Sequence, residues 1–113
     1  MGSLPIHLLN KKIIDAVSVA GDTTSDSLEV KEAVSIAVQA IWAGSSPSGT
    51  VSIQASNDGT NFKELSGGSI TVSGNTGNDL KNFADCGFAY LRAVYTHSSG
   101  SGTLTVQVNA KRN

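Results

Sequence analysis

The chain has 113 residues, the size of one small domain, which excludes a two-domain enzyme with a cleft between its halves. Eight Lys and Arg against nine Asp and Glu leave a formal charge of −1, and no like-charge run exceeds Lys11-Lys12 or Lys111-Arg112, so neither nucleic acid nor a membrane surface is an expected partner. Only 15% of residues are charged, Gly, Ser and Thr are abundant, and the single cysteine, Cys86, excludes an internal disulfide framework and a Cys-based zinc site.

The first ten residues carry Leu4, Ile6, Leu8 and Leu9 around Pro5, an apolar stretch too short for a signal-peptide core or a membrane span. The chain is therefore expected to be made in the cytoplasm of its host without a signal peptide. Residues 1–10 read either as an arm that docks on a partner through Leu4, Pro5, Ile6, Leu8 and Leu9 or as an edge strand of the chain's own domain, with 11–113 forming a single unit. Lys12 to Ala20 reads as a strand with apolar residues on both faces, and Gly21 to Ser27 as a polar connection. Asp26 with Glu29 has the spacing of a capping box, but a helix cannot continue beyond it. From Val34 to Trp42 the alternation of Val34, Ile36, Val38, Ala40 and Trp42 against Ser35, Ala37, Gln39 and Ile41 has the period of a strand.

Thr50 to Ser56 repeats that alternation with Val51, Ile53 and Ala55 on one face, and Asn57-Asp58-Gly59-Thr60-Asn61 then supplies a hairpin turn, since glycine accepts the positive φ a tight turn requires. Phe62 to Leu65 is the expected returning strand, Ser69 to Ser73 a further short strand between glycine-rich turns, and Asp79 to Phe83 a strand or a turn of helix. Phe88 to Thr96 sets Ala89, Leu91, Ala93 and Tyr95 against Phe88, Tyr90, Arg92 and Val94, and Thr103 to Ala110 alternates in the same way. The intervening His97-Ser98-Ser99-Gly100-Ser101-Gly102 predicts a hairpin with a mobile tip joining these two strands. About eight short strands with frequent turns predict an all-β, two-sheet antiparallel β-sandwich of jelly-roll or Greek-key type.

The inventory for chemistry is thin, and no catalytic, metal-binding or cofactor-binding residue is expected. His97 beside Ser98 and Ser99 suggests a base and a nucleophile, but neighbours in a loop do not establish the geometry of a triad. The carboxylate pairs Glu29/Glu32 and Asp79/Asp85 match no glycosidase or metal pattern, and the Asn57–Asn61 turn lacks the spaced acids of a calcium loop. Gly67-Gly68 and Gly74 to Gly77 lead into no phosphate-binding helix. Cys86 has no activating histidine in its neighbourhood and reads as a structural thiol. For a sugar platform Trp42, Tyr90 and Tyr95 are the available large rings; Trp42 and Tyr90 are the candidate glycan contacts, although Trp42 shares a face with Val34, Ile36 and Val38 and so favours the core.

The segment Val51-Ser-Ile-Gln-Ala-Ser-Asn-Asp-Gly-Thr-Asn-Phe62, with Tyr90-Leu-Arg-Ala-Val-Tyr-Thr96 and Ser98-Ser-Gly-Ser-Gly-Thr-Leu-Thr-Val-Gln-Val-Asn109, resembles small β-sandwich structural proteins of tailed bacteriophages, of the decoration or cement type. That resemblance implies a virion component without a cofactor, held on a major capsid or other virion protein through strand edges and the N-terminal arm. The small size, missing disulfides and apolar arm add the expectation of a homo-oligomer, dimer or trimer. The order of strand, Ser-Asn-Asp-Gly and aromatic, followed by Tyr-Leu-Arg, is also similar to discoidin-like jelly rolls, which would imply a glycan-binding or adhesive module; their usual cysteine pair is missing here.

Overall fold

The computed structural model of the protein describes residues 6–84 and 86–112, at positions 6 and 7 the backbone alone. Seven strands follow in chain order: β1 (Ile6–Ser18), β2 (Thr23–Thr24), β3 (Leu28–Glu29), β4 (Ser35–Ser56), β5 (Lys63–Val72), β6 (Thr76–Phe83) and β7 (Tyr90–Arg112). All pair antiparallel, and the predicted all-β sandwich is what they build.

Two long strands, β4 and β7, pair along nearly their whole length, from Ser35 opposite Lys111 to Ser56 opposite Tyr90. The first half of β4 also pairs with β6, and the last half of β7 with β1. This gives one layer in the order β6-β4-β7-β1. The second half of β4 pairs with β5, and the first half of β7 with β2 and β3, giving the other. The sandwich is thus one sheet folded across its middle, with β4 and β7 passing through the corner.

The corner corrects the expected hairpin. The runs 88–96 and 103–110 do not pair with each other; from Tyr90 onward they are two parts of β7, and each lies beside β4. The run predicted from Val34 to Trp42, which starts at Ser35, and Thr50–Ser56 are likewise two parts of β4, and 62–65 and 69–73 largely merge into β5. Gly100 and Gly102 within this Ser-rich run stand where the backbones of β4 and β7 turn together at very close range. Gly44 (φ 154°) and Gly102 (φ 146°) have dihedrals that L side chains rarely adopt. A Cβ at Gly102 would run into the carbonyl of Ala43 and the Cα of Gly44, and one at Gly44 into Ser101 and Gly102.

Inner-face parity changes at the same place. Ile36, Val38, Ala40 and Trp42 are buried before the corner of β4, and Val51 and Ile53 after it; in β7 Leu91, Ala93 and Tyr95 give way to Leu104, Val106, Val108 and Ala110. The register explains the switch. Between Ser45↔Ser101 and Ser48↔Ser99 the β4 strand takes one residue more than β7, and between Ser48↔Ser99 and Gly49↔His97 the excess lies on β7. Each extra residue is a β-bulge that flips the alternation of its own strand, so both halves keep their apolar side toward a single core.

Local bonds hold the corner. Gly44 N–H donates to the Asn75 carbonyl at 2.7 Å, Ser46 N–H to Asn75 Oδ1 at 3.0 Å, Val19 N–H to the Gly102 carbonyl at 3.0 Å, and the Tyr95 hydroxyl to the Ser48 carbonyl at 3.1 Å. At the opposite end the connections between layers close the core. Val30 and Ala33 are buried there, with Phe83, Cys86 and Phe88 half-buried against them.

Candidate functional site

Among the described residues no three His, Cys, Asp or Glu side chains come together as a metal site would require. His97 lies at the corner. Its backbone N–H donates to Asp22 Oδ1 at 2.7 Å, and its ring Nδ1 is buried without a hydrogen-bond partner, so the sequence neighbours Ser98 and Ser99 are not assembled with it into a relay. Glu29 pairs with Lys31 at 3.7 Å and Asp79 with Lys81 at 3.9 Å, both at the surface; Asp85 lies outside the described residues. Cys86 is half-buried with its thiol donating to the Phe83 carbonyl at 3.3 Å.

The Asn57–Asn61 turn spends its carboxylate internally. Asp58 Oδ1 accepts from Ser56 Oγ, Thr60 N–H and Asn61 N–H, each at 2.8 Å, and Oδ2 accepts from Asn61 Nδ2 at 2.7 Å. These donors, the Asn61 amides first, hold the Asp58 carboxyl far below the usual carboxylate range. The oxygens that a cation would need are already engaged in fixing the hairpin.

Among the described residues the surface carries depressions, of which two are the more voluminous. One, of about 370 Å³, runs between Ser56, Asn61, Lys63, Leu65 and Phe88. The other, of about 250 Å³, lies by Ile36, Asn82, Phe83 and Lys111. Neither gathers the acid, base and orienting partner that a reaction needs.

The predicted glycan contacts are placed differently from each other. Trp42 is only 6% exposed, and its indole N–H donates to the Ser73 carbonyl at 2.9 Å. A Cβ on Gly77 would sit 2.5 Å from the Trp42 ring, so the indole is packed against β6 and offers no face to a sugar. Core packing of this strand face is the physical reason the platform reading fails at Trp42. Tyr90 is half-buried, with Lys31 Nζ 5.6 Å from its ring centroid. Tyr95 is buried in the core.

Of the predicted partner-binding residues, Leu4 and Pro5 lie outside the described residues, as does the side chain of Ile6. The backbone of Ile6 pairs with Arg112, so β1 begins there as the edge of its layer. Leu8 and Leu9 are half-buried and pack against the core of their own chain.

The exposed large apolar side chains lie elsewhere, and Val34, which the alternation placed on the Trp42 face, is one of them at 40% exposed. Ile41 and Leu80 are 43% and 52% exposed, on neighbouring strands of the outer face of the β6-β4-β7-β1 layer. Around them stand uncharged Asn78, Asn82, Gln39, Gln107 and Asn109. Sequence periodicity did place Ile41 on the face opposite Trp42, but Leu80 fell in a segment left between strand and helix, so the pair went unseen.

No family model matches the chain, and no curated protein matches it. Solved structures do. The prophage-derived protein YomS of SPBc2 is 14% identical, superposes with a TM-score of 0.71, and is matched over 98% of this chain and 97% of that one. A chain of infectious bursal disease virus, Gx strain, is 11% identical with a TM-score of 0.56; the match covers 97% of this chain but 32% of that longer one. A chain from the disulfide-linked pili of Bacillus endospore appendages is 11% identical with a TM-score of 0.50, over 98% and 93%. These likenesses establish the fold.

Proposed function

We propose that this chain is a non-enzymatic structural protein of a phage particle, a decoration or cement subunit held on the major capsid protein or another virion protein through its N-terminal segment and sheet edges. The observation that carries this reading is the likeness to a prophage-derived protein along almost the whole of both chains. Two further neighbours come from a virus and a pilus. A small domain that spends its polar chemistry on turns and corners suits a role in which many weak, symmetry-related contacts add up.

On this reading the protein is made in the host cytoplasm and ends in the virion. Leu4, Pro5 and Ile6 lie at or just ahead of the start of an edge strand, where an extended segment can add to a neighbouring subunit by main-chain bonding. The glycan-binding alternative has lost its main platform with the burial of Trp42.

The test is sedimentation of the purified protein with particles of the encoding phage that lack it. Saturable binding at a fixed number of copies is expected, lost when residues 1–5 are removed and circular dichroism shows the sandwich intact. Absence of binding by the full chain overturns the proposal.

A further inference from the structure

The sheet edges differ sharply in how well they are guarded. Along β1 the pairing with β7 slips at three places and Ala16 takes a φ of 49°, so its outer edge is uneven. β5 carries a break between Glu64 and Ser69 that includes Gly67 and Gly68, and β2 and β3 are two residues each. Among the described edges β6 alone is long and regular: Thr76 to Phe83 pair with Ala43 to Ile36 without a slip. Irregular or very short edges are a poor template for a long, regular partner strand, whereas a straight one invites it.

The backbone direction along β6 is settled by its bonds. Gly44 N–H donates to Asn75 at the start of the ladder, which puts the odd residues 77, 79, 81 and 83 in hydrogen-bonded pairs with β4 and turns the N–H and C=O of 78, 80 and 82 toward the open edge. Accordingly, the N–H of Leu80 is met by the Asp79 side chain, at 2.9 Å, and not by β4.

We propose that β6 is the strand through which two copies of this chain pair, antiparallel and edge to edge, about a two-fold axis at Leu80. The sequence Asn78-Asp79-Leu80-Lys81-Asn82 is self-complementary in that register. Leu80 meets Leu80 of the second copy, Asn78 meets Asn82, and Asp79 meets Lys81 on both sides of the axis. Residues 78, 80 and 82 are those with outward-facing backbone groups, so the register offers about six main-chain hydrogen bonds, two of them from the Leu80 N–H groups as these exchange the Asp79 carboxylate for the second copy's backbone. Asp79 and Lys81 fall at the non-hydrogen-bonded positions, where opposing side chains come closest, and the two ion pairs formed alternate in sign with the pair already present within each chain. On the outer face the pairing covers Leu80, the most exposed large apolar side chain among the described residues, beside Ile41.

Charged residues on an edge strand usually keep other strands away. Here the same two charges exclude an arbitrary apolar strand yet are neutralised by a copy of themselves in one register, which combines repulsion of wrong partners with recognition of the right one. A two-fold strand pair is isologous and closes at the dimer. The inference rests on the reading of the chain as an assembly protein, and is independent of which particle protein it meets.

The experiment is a charge swap on the full chain, read by sedimentation equilibrium and native mass spectrometry. Wild-type protein should form a concentration-dependent species of twice 11.6 kDa. Lys81→Asp and Asp79→Lys each place like charges opposite one another twice, and each should weaken self-association by at least about tenfold without altering the far-ultraviolet spectrum. An equimolar mixture of the two variants should recover a heterodimer, since each then meets opposite charges. A wild-type protein that stays monomeric, one that forms trimers, variants that dimerise as well as wild type, or a mixture that fails to recover would each overturn the proposal. Protein that dimerises without binding particles overturns the virion reading and supports this one; protein that binds particles without dimerising does the reverse.

Discussion

Replacing Gly102 by alanine tests whether residues 97–102 are a corner or a free tip. At φ 146° an alanine occupies a region almost reserved for glycine, at a cost of about 1–3 kcal/mol. Its methyl would also strike the Ala43 carbonyl and the Gly44 Cα, both backbone atoms of the paired strand, which cannot swing aside as a side chain does. Forcing β4 and β7 apart adds about 1–3 kcal/mol, the usual range for overpacking, so the total should be about 4 kcal/mol. Gly67 is the control: its φ is also positive, at 73°, but nothing lies within 4 Å of the added carbon, and Gly67→Ala should cost about 1 kcal/mol. Urea unfolding of both variants measures the difference, and in a domain of this size about 4 °C of melting temperature accompanies each kcal/mol. Equal losses at Gly67 and Gly102 would refute the corner and restore the hairpin that the Ser/Gly composition predicts.

Trp42→Ala should cost about 3–5 kcal/mol by opening a cavity beside Gly77 and freeing the Ser73 carbonyl, as read by thermal unfolding; near-neutral stability would mean the ring is not in the core. Tyr95→Phe removes the bond to the Ser48 carbonyl across the corner and should cost about 1 kcal/mol in denaturant titration. The Tyr95 phenol, raised by burial and then by Asp22, should ionise above its ordinary value of 10.0 in a spectrophotometric titration, and a normal midpoint would contradict its packing. Asp58 has a depressed folded-state pKa, so its contribution to stability is complete above the ordinary value of 3.8 and is lost as pH falls below it. Asp58→Ala should therefore be less stable than wild type at neutral pH and converge with it in acid; a gap that does not narrow would show that the turn bonds are not the cause.

Much of the core was legible because strand alternation is a local signal. Ile36, Val38, Ala40 and Trp42, then Val51 and Ile53, then Leu91, Ala93 and Tyr95 all fall on inner faces as their spacing dictates. What local pattern does not reveal is that the runs either side of Gly44–Pro47, and either side of 97–102, belong to single strands. Glycine and serine serve a free tip and a tight double bend equally well, and the choice depends on β4 and β7 bending together although they are far apart in sequence. β6 was hidden for a different reason. An edge strand with Asp79, Lys81 and Asn82 has little apolar alternation to show, because only one of its edges and part of one face are covered. The turn at Asn57–Asn61, in contrast, was legible from Asp58-Gly59, since the bonds that fix it all run between near neighbours, from Ser56, Thr60 and Asn61 to Asp58.

The proposed role in a phage particle is tested most directly by counting copies of this chain in phage particles purified from its source, using quantitative mass spectrometry against the major shell protein. A fixed ratio, unchanged through repeated purification, is the result expected of a decoration or cement subunit. Its absence from intact particles would contradict the assignment.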